Sequence, residues 1–266
     1  MSDIGWSGLA LSLVLVGVAV GLSVWRRLGL EASLLWSSAR AMVQLLGIGL
    51  LLQVLLEPGV SIWWGWGWVV AMLFVVAFTV RRRAPNVPGI FGMALAAFSA
   101  SAFLTLGVLF GFGVFELRIR TLIPLAGLMI GNSLATTVLV SRRLIDELSD
   151  KRDEVEARLA LGQPAAVAAQ PYLRNALRTA LIPQIETTKA VGLIALPGAM
   201  TGLILAGVDP IDAVRVQAAV MYLILGSVAT TTTVVALGIR RRLFTRDHRL
   251  LRPASQPVAA AGSMKP

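Results

Sequence analysis

The segment IWWGWGWVVAMLFVVAFTVRRR, residues 62–83, decides the fold class of this chain. Residues 62–80 carry no charged side chain, and a helix of that length crosses the hydrocarbon core of a bilayer. Four tryptophans stand near its start, whereas three arginines follow its end. Indole rings favour the headgroup region, and arginines favour the cytoplasmic side of a membrane. The segment therefore predicts a transmembrane helix whose arginines lie in the cytoplasm.

The composition extends this prediction to the whole chain. Of 266 residues, 56% are hydrophobic and the mean hydropathy is +0.78, above the range of soluble domains. We predict an all-α membrane helix bundle of about seven transmembrane helices, forming one transmembrane domain over residues 1–266. The predicted spans are 7–25, 40–56, 62–80, 90–112, 121–141, 184–206 and 213–239, the last preceded by an N-cap at Asp209 and a proline at Pro210.

The distribution of charge predicts the orientation. Most of the 24 lysines and arginines lie between alternate pairs of spans or in a basic tail over 240–266. The positive-inside rule then places the N-terminus outside and the C-terminus in the cytoplasm. The formal net charge of +10 thus reflects arginines and lysines on the cytoplasmic side of a lipid bilayer, and nucleic-acid binding is not expected. We predict a multi-pass protein of the inner (plasma) membrane.

The ligand chemistry of the chain is restricted. It has no cysteine, and its one histidine, His248, lies in the basic tail. Disulfides, iron–sulfur clusters, thiolate metal sites and an intramembrane imidazole cage are therefore excluded. No glycine-rich phosphate loop occurs, since none of the three lysines follows a glycine. We expect no cofactor in this chain, so an ATP-driven process would need a separate ATPase.

The stretch 142–183 is the one long internal segment between spans. Its apolar residues and the pairs Glu147/Lys151 and Glu154/Arg158 have helical spacing, which predicts a cytoplasmic extension of the fifth span. Gly162 is expected to end this helix, and prolines 164 and 171 to begin two further helices, the last lying along the membrane surface. The pattern fits either a solvated helical hairpin or a docking element for a soluble partner.

Two spans carry polar side chains at membrane depth. Arg40 and Gln44 share a face at the cytoplasmic end of the second span, and Asn132 and Thr136 share a face of the fifth. Such groups hold helices together or snorkel to the surface, and they also line pathways through lipid. We treat all four as candidate pathway residues, with the structural alternative open.

The sixth predicted span contains the strongest candidates. Glu186 and Lys189 are i,i+3 neighbours, so they form either a self-neutralising pair or a substrate site in which Glu186 is a cation ligand. Further along, Pro197 and Gly198 interrupt the helix, which predicts a gate or hinge. Met200 and Thr201 follow the break with a thioether and a hydroxyl.

These residues resemble the FetB-type iron-export ABC transporter permeases and the related plant aluminium-sensitivity permeases. The resemblance runs from about Trp36 to the arginines after the last span. It is carried by Pro183, by Lys189-Ala190-Val191-Gly192-Leu193, by Leu196-Pro197-Gly198, by Gly207-Val208-Asp209-Pro210, by Arg40-Ala41-Met42-Val43-Gln44-Leu45 and by Ala126-Gly127-Leu128-Met129-Ile130-Gly131-Asn132. Two departures are Ala199-Met200, where the family commonly has two methionines, and Glu186, where an aspartate is common.

The resemblance implies a non-enzymatic permease subunit that exports iron or a related metal cation. It implies pairing with a second copy and with two copies of an ABC ATPase, which would bind ATP and magnesium. The segment Glu156-Ala157-Arg158-Leu159-Ala160-Leu161-Gly162 loosely matches the ATPase-docking element of many ABC permeases. Glu156, Ala157, Gly162 and Pro164 are accordingly the candidate coupling residues, and no residue is assigned a catalytic role.

Two alternatives stay open. The plant relatives suggest an organic anion such as a sugar nucleotide, which Lys189 and Arg40 would attract. A secondary transporter running on protons or sodium would instead need no ATPase, although no convincing internal repeat is found.

Overall fold

The computed structural model describes residues 6–57, 59–194, 196–245, 247 and 249–251, and these form ten helices without a β-sheet. The prediction of an all-helical membrane protein is confirmed. His248, Ala195 and the tail from residue 252 lie outside the described residues. The chain divides into two compact units, one ending at Ser61 and one beginning at Ile62.

The first unit is a helical hairpin. Helix α1 (Trp6–Arg26) and helix α2 (Glu31–Leu55) are joined by a turn in which Gly29 has φ 67°. The Ser23 hydroxyl closes this turn, because it donates to Glu31 Oε1 at 2.7 Å and accepts from the Leu30 amide. The second span was predicted to start at residue 40, but α2 begins at Glu31, since the turn rather than the charge of Arg40 sets its start.

The second unit is a bundle around four long helices: α3 (Ile62–Arg83), α4 (Ile90–Gly111), α5 (Ile119–Asp150) and α10 (Pro210–Leu243). Helix α10 packs on α4 and α5, and α3 packs on the same two helices. Buried alanines, among them Ala94, Ala97 and Ala126, allow close approach around larger side chains such as Phe98 and Met129.

The structure does not confirm seven spans within the described residues. Helices α2, α3, α4, α5 and α10 are long and apolar enough to cross a membrane, and the apolar segment Leu11–Arg26 of α1 is shorter. The predicted sixth span, 184–206, is not one helix. Helix α8 (Gln170–Ala190) runs through Pro183 without interruption, and after a break the helix α9 (Gly198–Leu205) spans eight residues. An eight-residue helix is only about 12 Å long.

Helices α5 and α10, at 32 and 34 residues, are longer than a bilayer crossing requires. Beyond α5 come α6 (Arg152–Ala160), α7 (Ala165–Ala168) and the start of α8. We call residues 142–175 the elbow. The predicted helix end at Gly162 is confirmed, because this glycine has φ 81° and the next amide donates to the Arg158 carbonyl at 3.1 Å.

Helix α8 differs from its prediction as a helix lying along the membrane surface. Its apolar face, including Leu173, Ala176 and Ala180, is buried because α8 packs against α5 and α10. Pro171 does stand in its first turn, as expected. The cap of α10 is also confirmed, since the Asp209 carboxylate accepts from the amides of Ile211 and Asp212.

Arginines from three helices meet at one end of the second unit. The Arg142 guanidinium donates twice to the main-chain carbonyl of Arg83, once through Nε at 2.8 Å. The Arg242 guanidinium lies over Gly89, where a Cβ atom would come within 2.7 Å of Nη1. The arginines that follow the apolar parts of α3, α5 and α10 therefore lie together at one basic end of this unit.

Candidate functional site

A bonded cluster fixes the inner side of the elbow. The Tyr172 hydroxyl of α8 donates to the Glu154 carboxylate of α6 at 2.9 Å, and Lys151 pairs with the same carboxylate at 2.9 Å. These bonds, that from Lys151 first, lower the pKa of Glu154 below its usual value. Burial and the bond to Glu154 raise the pKa of Tyr172. Val155 beneath them is fully buried, so α6 and α8 are tied at this point.

Arg152 connects the elbow to the chain after α10. Its guanidinium pairs with Glu156 at 2.6 Å and donates to the Leu250 carbonyl at 3.1 Å. The predicted pairs Glu147/Lys151 and Glu154/Arg158 are not the ion pairs that form. Glu147 pairs instead with Arg143 at 2.8 Å, since α5 ends near Lys151 and this lysine reaches Glu154 in α6.

The candidate coupling residues lie on the outer side of the elbow. Glu156, Ala157, Gly162 and Pro164 are all exposed. Between them the Leu161 side chain is 82% exposed. The tip of the elbow therefore presents both polar groups and one apolar side chain to its surroundings.

Glu186 and Lys189 form an ion pair on the outer face of α8. The Lys189 Nζ atom lies 2.9 Å from Glu186 Oε1, and the two side chains are 66% and 61% exposed. They therefore neutralise each other without being buried in the bundle.

The register of α8 against α5 gives the height of this pair. The Asn175 amide donates to the Glu147 carboxylate at 2.5 Å, while Tyr172, three residues earlier in α8, bonds Glu154, further along the chain in α6. The residue number of the partner falls as that of α8 rises, which is the order of antiparallel helices. Counting equal numbers of residues from that contact brings Glu186 to the height of Thr136, about 16 Å further along the bundle. The count therefore puts Glu186 level with the apolar part of α5, the part of that helix long and apolar enough to cross a membrane.

The polar stripe of α5 has two unlike members. Thr136 is buried, whereas Asn132 is exposed and its amide donates to the Leu128 carbonyl of the same helix at 2.8 Å. Within the described residues no hydrogen bond or ion pair joins either one to Glu186 or Lys189. The polar residues of α5 are therefore level with the Glu186–Lys189 pair along the bundle but make no bond to it.

The break after α8 begins earlier than expected. The helix ends at Ala190, Gly192 has φ 84°, and Pro197 is the N-cap of α9, so Pro197 ends the break rather than kinking a continuous helix. Leu193 and Ile194 are 91% and 86% exposed. Gly198 opens α9 and is exposed.

Beyond the break, the short helix α9 holds the last two pathway candidates. The Thr201 hydroxyl donates to the Pro197 carbonyl at 3.1 Å, which fastens the first turn of the helix. Thr201 and its neighbour Met200 are half-buried, and α9 packs against α10.

A groove of about 510 Å³ follows the outer face of α8. Every residue that lines it belongs to α8, so the described chain supplies one wall only. Apolar side chains form most of this wall, and the charged members are Arg174, Arg178, Lys189 and Glu186. We call this surface the α8 face.

Arg40 and Gln44 stand one turn apart on α2, in the first unit. Both are exposed, and neither makes a side-chain bond within the described residues. They remain predictions as pathway residues.

Metal-ligand chemistry is sparse in the described part of the chain. No group of three or more histidine, cysteine, aspartate or glutamate side chains there could hold a metal ion. The Glu186 carboxylate has a lysine as its charged partner. A cation passing this carboxylate would therefore displace Lys189 or share the oxygen atoms with it.

A buried hydroxyl cluster was missed by the sequence interpretation. The Ser227 hydroxyl of α10 accepts from Ser133 of α5 at 3.3 Å, and the Ser227 carbonyl accepts from Ser101 of α4 at 3.3 Å. Thr105 donates to the Ser101 carbonyl at 2.7 Å and lies 3.3 Å from the Met129 sulfur. The signal was the i,i+4 spacing of Ser101 and Thr105 within an apolar helix.

Fold and comparisons together define the class of protein. The described helices are those of a polytopic helical membrane protein, and the chain belongs to UPF0014, described as an uncharacterised protein family, whose model matches residues 6–244. It is a multi-pass protein of the inner (plasma) membrane. No solved structure matches the chain.

Three relatives support the resemblance seen in the sequence. The chain is 38% identical to UPF0014 membrane protein STAR2 of Oryza sativa subsp. japonica, over 80% of this chain and 74% of that protein. It is 30% identical to the probable iron export permease protein FetB of Escherichia coli strain K12, over 91% and 93%. It is 33% identical to the protein ALUMINUM SENSITIVE 3 of Arabidopsis thaliana, over 91% and 88%. The predicted family is confirmed.

Proposed function

We propose that this protein is the permease subunit of an ABC transporter, worked by a separate ATPase and exporting iron or a related metal cation. The observation that supports the proposal is a braced elbow, exposed at its tip, joined to the helix that carries an uncovered polar face. The proposed cargo is inferred from the name of the relative FetB, a probable iron export permease protein.

The elbow is suited to transmit force. Glu154 is bonded from both Lys151 and Tyr172, so a push on α6 is carried directly into α8. Helix α8 ends at Ala190, at the break that precedes α9. An ATPase that grips Glu156, Ala157, Gly162 and Pro164 would therefore act on the gate through one continuous helix. We expect two ATPase copies, with ATP and magnesium bound to them.

The α8 face supports assembly with a second copy. An exposed ion pair and non-helical backbone at membrane depth are tolerated only against protein or water. Facing lipid, a single charge costs about 2.5–3.5 kcal/mol on insertion scales. A second copy would provide the missing wall of the groove and enclose Glu186 and Lys189 in a pathway between the two chains.

One observation favours a second candidate cargo. The α8 face carries three cations, Arg174, Arg178 and Lys189, against the one carboxylate of Glu186. Such a surface attracts anions. An organic anion such as a sugar nucleotide is therefore the alternative substrate class.

Reconstitution tests the class of transporter. Proteoliposomes containing the chain with its co-purified ATPase are expected to move cargo only when ATP is hydrolysed. Leu161→Arg, at the tip, should abolish ATPase co-purification, whereas Val114→Arg, an exposed apolar residue in the turn before α5, should not. Transport by the chain alone along a proton or sodium gradient would instead establish a secondary transporter.

A further inference from the structure

A second cavity lies at the basic end of the bundle, away from the α8 face. It has a volume of about 360 Å³ and is lined by the end of α3, the turn after it and one side of α5. Its polar lining comes from Arg82, Arg83, Asn86, Arg142 and Asp146. Three guanidinium groups against one carboxylate leave this cavity, which we call the arginine pocket, with a net positive charge.

The arginines of the pocket are positioned but not neutralised. Arg142 is held by its two bonds to the Arg83 carbonyl, and Arg82 stacks over the Phe78 ring at 4.7 Å from its centroid. Within the described residues, neither Arg83 nor Arg142 has a carboxylate partner. Asp146 likewise makes no ion pair there. Arg142 and Arg82 are thus held in place with donors left over, and the Arg83 guanidinium is unbonded within the described residues, an arrangement that suits a phosphate group.

The surface below the pocket is apolar. Phe74, Phe78 and Arg82 follow one another at i,i+4 on one face of α3, so the guanidinium stands at the end of a phenyl stripe. Phe74 is 51% exposed and Phe78 is 47% exposed. The stripe ends where the apolar part of α3 ends, which is the level of the lipid headgroups.

We propose that the arginine pocket binds the phosphate of an anionic phospholipid, with Arg83 and Arg142 at the phosphate and the acyl chains along Phe74 and Phe78. An amphiphile fits both parts of the surface, whereas a free phosphate would use the pocket alone. Asp146 can accept a hydrogen bond from a headgroup hydroxyl, as in phosphatidylglycerol. Basic pockets beside membrane helices are suited to such headgroups.

Binding to the purified full-length chain in neutral detergent tests this site. Phosphatidylglycerol, phosphatidylcholine and inorganic phosphate are titrated separately, and bound lipid is counted by native mass spectrometry. Arg82→Gln/Arg83→Gln removes two charges from the pocket. Arg81→Gln/Arg241→Gln is the matched control, because it removes two exposed arginines of the same basic end that do not line the pocket.

We expect phosphatidylglycerol to bind in preference to phosphatidylcholine and to bind roughly twentyfold more weakly to the pocket variant, with less than about twofold change in the control. Equal weakening in both variants would mean a diffuse surface charge and overturn the site. Inorganic phosphate binding with the same arginine dependence, without phosphatidylglycerol binding, would overturn the lipid assignment.

A single substitution, Arg83→Gln, tests the site with the packing contacts of the bundle kept in place. The main-chain carbonyl of Arg83 accepts the Arg142 bonds, and its side chain makes no bond within the described residues, so Arg83→Gln leaves those contacts in place. It should still weaken phosphatidylglycerol binding roughly fivefold. Unchanged binding by a folded Arg83→Gln variant would reject the proposal.

Discussion

The Tyr172 hydroxyl donates a hydrogen bond of 2.9 Å to the Glu154 carboxylate, and this bond joins α8 to α6 on the inner side of the elbow. Tyr172 is buried while Glu154 is on the surface, so the bond fastens an outer helix to the bundle. Any force applied to α6 by a partner would pass to α8 through this contact. The proposed coupling between α6 and α8 therefore depends on this hydrogen bond.

Tyr172→Phe is expected to loosen the elbow without unfolding the bundle. The ring stays in place, but the bond to Glu154 is lost, so hydrogen exchange of the α6 amides should rise roughly two- to tenfold. Exchange mass spectrometry of the membrane-reconstituted protein measures this. Tyr222→Phe is the matched control, since Tyr222 is 72% exposed on α10. Equal exchange in both variants would mean that the bond does not brace α6.

The ionisation of Tyr172 should depend on Glu154. Burial and the bond to the carboxylate raise the folded-state pKa of Tyr172 above its ordinary value of 10.0, so the stabilisation is complete below that value and is lost as pH rises through the folded pKa. In a Tyr222→Phe background, Tyr172 is the single tyrosine, and its phenolate absorbance reports the transition. Adding Glu154→Gln should move the transition to lower pH. An unmoved transition would leave burial as the sole cause.

The local features of the fold could be predicted from the sequence, because their causes are local. Gly162 ends a helix through its left-handed backbone, and Asp209 begins one through its own carboxylate. The predicted span 184–206 failed for the opposite reason. Hydropathy favoured one helix there. In the structure α8, which packs on α5 and α10, runs from Gln170 to Ala190 instead, and the backbone turns at Gly192.

The candidate site divides in the same way. The Glu186–Lys189 pair follows from i,i+3 spacing and was predictable. Its height beside Thr136 depends on the contact between Asn175 and Glu147, two residues far apart in the chain. The exposure of the pair could not be predicted either, since it depends on which face of α8 the bundle covers.

The α8 face should lie against a second copy in the membrane. The chain has no cysteine, so Ile185→Cys introduces a single thiol on this face. A bifunctional thiol cross-linker, which can join thiols that are not in direct contact, is expected to give a linked dimer on a denaturing gel, because a two-fold interface places the α8 face of one copy against that of the other. Val75→Cys, 65% exposed on α3, is the control and should stay monomeric. Cross-linking of both variants alike would indicate random collision.

The buried hydroxyl cluster should hold α5 against α10. Ser133 and Ser227 are fully buried and joined at 3.3 Å, so a double-mutant cycle with alanine at each position isolates their bond. We expect a coupling free energy of about 0.6 kcal/mol in the unfolding free energy, as for other hydroxyl pairs within membrane bundles. Ser149→Ala, exposed at the end of α5, should change stability by less than the Ser133→Ala substitution. Zero coupling would assign the cluster to bonds within each helix.

The charge of the cargo should decide which member of the Glu186–Lys189 pair matters. For a metal cation, Glu186→Gln removes an oxygen ligand and leaves Lys189 unpaired in the pathway, so ATP-driven transport should fall roughly tenfold, whereas Lys189→Gln should preserve it. For an organic anion the order reverses. Glu116→Gln and Arg118→Gln are matched controls, because these residues form an equally exposed ion pair in the turn before α5. Iron efflux and anion efflux are measured in the same vesicles. If the Glu186 and Lys189 variants transport both substrates as the controls do, the pair only neutralises itself, and the pathway must run along another face.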